Sequence, residues 1–189
     1  MSAAGRGLIY LMGASGSGKD TLLRLVRARL SEADRISIAQ RIITRPGSAD
    51  EPSVEVTAEA FRQMNEAGRF AMQWSSHGLH YGIGVEIDEP LSQGQAVIVN
   101  GSRRYLARAL ARYPAMSVVE IYVDRSVLAR RLAARGRETP EQIAQRLEQA
   151  VLPDDPHVPP PGVLHKLANN AAPEVAAENL LDIARKLLA

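Results

Sequence analysis

An α/β fold built on a parallel central sheet is what this sequence of 189 residues predicts, on three observations. Short continuous apolar runs such as Leu8–Met12 and Ala96–Val99 have the length of strands. They are apolar at successive positions, as strands buried on both faces are. Between them lie longer stretches whose apolar residues recur at helical spacing, and strands alternating with helices imply a parallel sheet. The turn between the first run and the first helical stretch, Gly13 to Gly18, is rich in glycine.

Taken in order, Leu8–Met12 is the first strand. Leu22, Leu23, Val26 and Leu30 give a helix over Lys19–Leu30. Ile36–Ile43 reads as a second strand, stopped by Pro46-Gly47-Ser48. Thr57 is an N-cap for a helix carrying Ala58, Phe61 and Met64, which ends at Gly68. Phe70–Tyr81 contains strand-like pieces and a turn at His77-Gly78, and a short helix over Val85–Ser92 ends at Gly94. Ala96–Asn100 is a buried strand, and Ser102 is positioned to cap a helix reaching Tyr113, where Pro114 stops it. Ser117–Val123 is a β-branched strand, and Arg125–Ala134 a helix closed by Gly136. Pro140 suits the first turn of a helix that runs to about Val151. Five prolines between Pro153 and Gly162 exclude helix and central strand there. Val163–Ala168 is a last strand, and Glu174–Leu188 an amphipathic helix.

Composition excludes several classes. With 46% hydrophobic and 23% charged residues the chain is neither disordered nor fibrous. It has no cysteine, so a disulfide scaffold, thiol catalysis and a Cys-ligated metal are excluded. The four histidines, His77, His80, His157 and His165, have no metal-binding spacing. A net charge of +2 does not suit a nucleic-acid binder, and no run approaches a membrane span. The expectation is a soluble, cytoplasmic protein with no nucleic-acid or membrane partner; a homodimer stays open.

The glycine turn carries the chemistry. Gly13-Ala14-Ser15-Gly16-Ser17-Gly18-Lys19 has two glycines five apart followed by Lys, the Walker A spacing of P-loop NTPases. Glycines let backbone N–H groups turn inward as an anion nest, and the following helix adds its positive end. Lys19 puts a point charge on the β- and γ-phosphates of a nucleotide such as ATP. The next residue of the motif supplies a hydroxyl to Mg²⁺; here it is Asp20, followed by Thr21. Asp20 either binds Mg²⁺, directly or through water, or favours the helix N-terminus electrostatically.

Further motifs follow in a definite order: Arg41-Ile42-Ile43-Thr44-Arg45-Pro46, Ala67-Gly68-Arg69-Phe70, His77-Gly78-Leu79-His80-Tyr81-Gly82, Val99-Asn100-Gly101-Ser102-Arg103, and Arg131 through Glu138. This layout resembles the guanylate kinases. That family, however, reads guanine with carboxylates where this chain has Gln73, before Trp74, and Asn100. It is more similar to their relatives, the ribose 1,5-bisphosphate phosphokinases of phosphonate breakdown, in which Asp after the P-loop Lys is characteristic.

The resemblance implies a three-layer P-loop NTPase sandwich and transfer from ATP to ribose 1,5-bisphosphate, giving ADP and 5-phosphoribosyl 1-diphosphate. It implies one domain over residues 1–189: core at 1–44, 95–124 and 152–189, acceptor-binding insertion at 45–94, and lid at 125–151. Residues 13–21, Arg131 and Asn169 would bind the nucleotide, and Lys19, Arg135 and Arg137 would stabilise the transferring phosphoryl group. Arg41 and Arg45 would hold the sugar's phosphates with Tyr81. Gln73 and Asn100 would bond ribose hydroxyls, and Arg103 would either meet the second phosphate or sit on the helix surface. A nucleoside monophosphate kinase and a non-catalytic guanylate-kinase-like module are the alternatives.

Overall fold

A computed structural model describes residues 5–44, 53–76, 78–136, 139–151 and 163–188. In chain order the elements are β1 (Leu8–Gly13), α1 (Lys19–Arg27), β2 (Ile36–Ile38), β3 (Arg41–Ile43), β4 (Ser53–Glu55), α2 (Ala58–Glu66), β5 (Phe70–Ser76) and β6 (Leu79–Gly84). They continue with α3 (Asp88–Ser92), β7 (Ala96–Asn100), α4 (Leu106–Arg112), β8 (Ser117–Tyr122), α5 (Arg125–Arg135), α6 (Pro140–Val151), β9 (Leu164–Ala168) and α7 (Pro173–Lys186).

The core is a five-stranded, wholly parallel sheet in the order β2-β7-β1-β8-β9. Both faces are covered, which is why Leu8–Met12 of β1 and Ala96–Val99 of β7 are apolar. Ile9 and Leu11 face α1 and α7, whose Leu22, Val26, Leu180 and Leu181 complete one half of the core. Leu8, Tyr10 and Met12 face the other way, onto Leu106 and Ala109 of α4 and onto Met72 and Ile83. The last two belong to a second sheet, ordered β4-β3-β6-β5, in which β6 runs antiparallel to both β3 and β5. A third, small cluster joins Leu128 and Leu132 of α5 to Leu147 of α6.

Two local expectations change. The stretch read as one strand, Ile36–Ile43, divides between the sheets. Ile36–Ile38 pairs with β7, and the Ala39 N–H still donates to Ile98 O at 2.9 Å. The pairing with β7 stops there although β7 runs on to Asn100, and Arg41–Ile43 pairs with β4 and β6 instead. Ser102 does not cap α4; a 3-10 turn, Arg103–Tyr105, comes first and the Ser102 side chain makes no capping bond. Its backbone is instead held by Tyr10, whose hydroxyl donates to Ser102 O at 2.8 Å and accepts from Ser102 N at 2.9 Å. Burial raises the Tyr10 hydroxyl's pKa above its usual value. At α2 the expected Thr57 cap is present, its Oγ1 accepting from Ala60 N at 3.0 Å. Pro153–Gly162 lies outside the described residues, as does the Pro46-Gly47-Ser48 stop.

Candidate active site

Ligands of open parallel sheets bind beyond the carboxyl ends of the strands. At that edge lie Gly13 of β1, Asn100 of β7 and the residues that follow β9. Gly16 and Gly18 adopt φ of 87° and 92°, a region that L side chains rarely enter. Both are also pressed from behind. A Cβ on Gly16 would meet Leu132 Cδ2 at 2.9 Å, and one on Gly18 would meet Asn169 Nδ2 at 2.6 Å. So the glycines serve packing as well as backbone shape.

Polar groups from four elements converge on this loop. Lys19 Nζ donates to Gly13 O at 2.7 Å and Ala14 O at 3.1 Å. Asn169, 2% exposed, donates from Nδ2 to Ser17 O at 2.8 Å. Arg131 Nη1 lies 3.5 Å from Ser17 O. Arg146 Nη1 donates to Ser15 Oγ at 2.6 Å. Arg146 is the residue that sequence reasoning missed. It is the one cation of α6, which is a signal of a kind, but only the folding of α6 against α5 brings it to a loop 131 residues away. Ser17 Oγ and Asn169 Oδ1 are buried without a hydrogen-bond partner among the described residues.

A second cluster sits beside the first. Asp20 Oδ1 accepts from Asn100 Nδ2 at 2.7 Å and from Arg41 Nη2 at 3.4 Å. The Arg41 guanidinium lies 5.3 Å from the centre of the Tyr81 ring, within cation–π range. Tyr81 in turn stacks on Trp74, with ring centres 5.6 Å apart and planes at 6°. Trp74 also meets Tyr105 at 5.8 Å, joining the second sheet to the core. Asp20, Arg41 and Asn100 line a pocket with Arg27, Leu23 and Ile38.

Other expected residues fall differently. Arg103 turns away from the helix surface: its Nη1 donates to Ala150 O at 3.3 Å and its Nη2 lies 3.6 Å from Glu120 Oε1. Gln73 stands in β5 opposite Gly82, half-buried. Thr21 is half-buried in the first turn of α1. Arg45 and Arg137 lie outside the described residues, as does His77, and of Arg135 only its position at the end of α5 is described.

No cluster of three or more metal-binding side chains occurs among the described residues. Directly after Lys19 the chain carries a carboxylate, Asp20, and a hydroxyl, Thr21. That set fits a Mg²⁺ ion carried by nucleotide phosphates, since Mg²⁺ commonly takes only one or two protein carboxylates. No helix of the described residues is long and apolar enough to cross a membrane.

No protein-family model matches the chain. Individual curated proteins do. A ribose 1,5-bisphosphate phosphokinase PhnN of Achromobacter xylosoxidans is 55% identical over 187 residues, covering 99% of this chain and 96% of its own length. The chain belongs to the ribose 1,5-bisphosphate phosphokinase family. A further phosphokinase of this family, from Azotobacter vinelandii, is 45% identical over 95% of this chain and 96% of its own. Among solved structures, guanylate kinase from Anaplasma phagocytophilum superimposes with a TM-score of 0.65 at 14% identity, over 98% of this chain and 87% of that one. A gluconokinase from Sinorhizobium meliloti gives 0.51 at 20% identity, over 96% and 93%. The phosphokinase family therefore shares the fold of P-loop kinases, with its central sheet parallel as the sequence predicts.

Proposed function

We propose that the protein transfers the γ-phosphoryl group of ATP to the 1-phosphate of α-D-ribose 1,5-bisphosphate, yielding ADP and 5-phosphoribosyl 1-diphosphate, in the cytoplasm and in phosphonate breakdown. What carries this reading is the 55% identity across 99% of the chain to a phosphokinase named for that substrate. The convergence of a phosphate loop and an arginine-bearing pocket on Asp20 is in keeping with it.

An oxygen of the acceptor's 1-phosphate attacks the γ-phosphorus in line, and the bond from that phosphorus to the β–γ bridging oxygen breaks. The acceptor is already an anion at neutral pH, so no general base is needed. The task is to bring two polyanions together and to stabilise charge as it shifts. Lys19, the N–H groups of residues 13–18 and Arg131 bind the triphosphate, and Asn169 lies on the adenine side. Arg146 joins Arg135 and Arg137 as a lid cation on the transferring group. Asp20 with Thr21 are the residues that would hold a Mg²⁺ ion, which when bound would supply charge neutralisation to the triphosphate. Arg41, Arg45 and Tyr81 take the sugar's phosphates; Gln73 and Asn100 face its hydroxyls as neutral amides, which do not repel a doubly phosphorylated sugar. Arg103 supports the end of α6 through Ala150. Residues 45–94 form the acceptor-binding part, 125–151 the lid and the remainder the core.

An acceptor screen tests the proposal: Mg²⁺–ATP with, separately, ribose 1,5-bisphosphate, ribose 5-phosphate, GMP, AMP and gluconate, following ADP and product mass. Transfer to ribose 1,5-bisphosphate with little to GMP is expected. Strong transfer to GMP would make the protein a nucleotide kinase, and silence with every acceptor beside tight ATP binding would make it a binding module.

A further inference from the structure

At the position where the phosphate-loop motif carries a hydroxyl for the metal, this chain carries a carboxylate, and one of its oxygens meets two partners outside the loop. Asp20 Oδ1 accepts from Asn100 Nδ2 at 2.7 Å and from Arg41 Nη2 at 3.4 Å. Asn100 ends β7 of the core sheet and Arg41 begins β3 of the second sheet, so one oxygen bridges the two sheets from the first turn of α1. Neither partner is a loose surface group. Asn100 is 4% exposed, and the Arg41 side chain 13%. A guanidinium this far from water has to be held by partners, and an anion is the strongest kind. The Arg41 guanidinium also lies over the Tyr81 ring, itself stacked on Trp74. A carboxylate only accepts hydrogen bonds, so it also settles which end of the Asn100 amide faces it.

We propose that Asp20 is a positioning residue for the acceptor: it holds Arg41 and Asn100 in the sugar-phosphate pocket and so couples that pocket to the phosphate loop. The inference rests on the acceptor assigned above. It gives Asp20 a task that a Ser or Thr at this position could not perform, because a hydroxyl is uncharged and ends one bond nearer the backbone. It also supplies a direct link between the two binding sites, since Asp20 follows Lys19 without a gap.

The test is calorimetric binding of ribose 1,5-bisphosphate, in the absence of ATP and of Mg²⁺, to the wild-type protein and to Asp20→Ala, Asp20→Asn, Arg41→Ala and the Asp20→Ala/Arg41→Ala double variant. Asp20→Asn keeps an acceptor oxygen and most of the shape, and so guards against a folding defect. Acceptor Kd is expected to rise at least tenfold in Asp20→Ala and less in Asp20→Asn. The loss from Asp20→Ala should largely vanish in the Arg41→Ala background, because coupled residues are not additive. In steady-state kinetics the acceptor KM should rise in parallel, and by a larger factor than the KM for Mg²⁺–ATP. An unchanged acceptor Kd in Asp20→Ala, or fully additive losses in the double variant, overturns the inference. A wild-type protein that does not bind the bisphosphate at all overturns the assigned acceptor instead, so the two failures are distinct.

Discussion

The nucleotide side and the acceptor side of this protein are built by different means. The phosphate loop is a run of seven consecutive residues whose shape comes from glycine backbone and from the strand and helix on either side. The proposed acceptor side is assembled from single side chains of α1, β3, β6 and β7 that touch one another across the chain. A locally built site is tolerant of what surrounds it but intolerant of change within it. A site built from distant side chains can change its ligand by exchanging one residue at a time.

The largest effect separating the two sides belongs to Lys19→Ala. It should lower transfer by about a thousandfold, the upper end for loss of one stabilising donor, with thermal unfolding unchanged. Near-normal kcat would break the assignment of the loop. Arg41→Ala should raise acceptor KM by roughly a hundredfold, in line with the ~2–5 kcal/mol cost of truncating a buried charged partner, and leave ATP binding intact. Equal losses for both substrates would erase the division between the sides. Arg146→Ala should lower kcat about tenfold with acceptor Kd unchanged in equilibrium binding, which would assign α6 to the nucleotide side. Gln73→Glu, by adding a negative charge near a bisphosphate, should raise acceptor KM about fivefold, ~1 kcal/mol; unchanged kinetics would remove Gln73 from the pocket.

The smallest effect lies away from both sites. Arg185 and Ser31 hydrogen-bond the Asp34 carboxyl and hold it well below the usual carboxylate range. A group whose folded pKa is depressed stabilises above its unfolded value, 3.8, and loses that contribution as pH falls through the lower folded value. Arg185→Ala should therefore flatten the acid limb of a melting-temperature profile below about pH 4 and leave the neutral region and turnover nearly untouched. An acid limb as steep as the wild type's would remove this ion pair from the account.

Legibility in the sequence followed locality. The order of strands and helices, the Thr57 cap and the loop were open to reading because periodicity, caps and glycine spacing act within a few residues. The division of Ile36–Ile43 was not, because it depends on β4 and β6, strands later in the chain that pair with Arg41–Ile43 in place of β7. Asp20 was legible as a departure from the motif, but not its contacts, since Asn100 lies 80 residues away. Arg146 escaped because its target is farther still. Arg103 could be read as a surface cation or a phosphate ligand, but its contacts with Glu120 and Ala150 were not open to reading, since both lie far along the chain.

By itself the sequence determined a parallel α/β chain with a phosphate loop and a supply of arginines in the right order for a phosphoryl-transfer enzyme. These are properties of hydrophobic period, backbone freedom and charge type, which each segment carries alone. Only the tertiary structure decided which arginine meets the loop, which meets Asp20 and which meets Glu120 and Ala150. That choice depends on the strand order β2-β7-β1-β8-β9, which brings the ends of strands remote in sequence within hydrogen-bonding distance of one carboxylate and one loop.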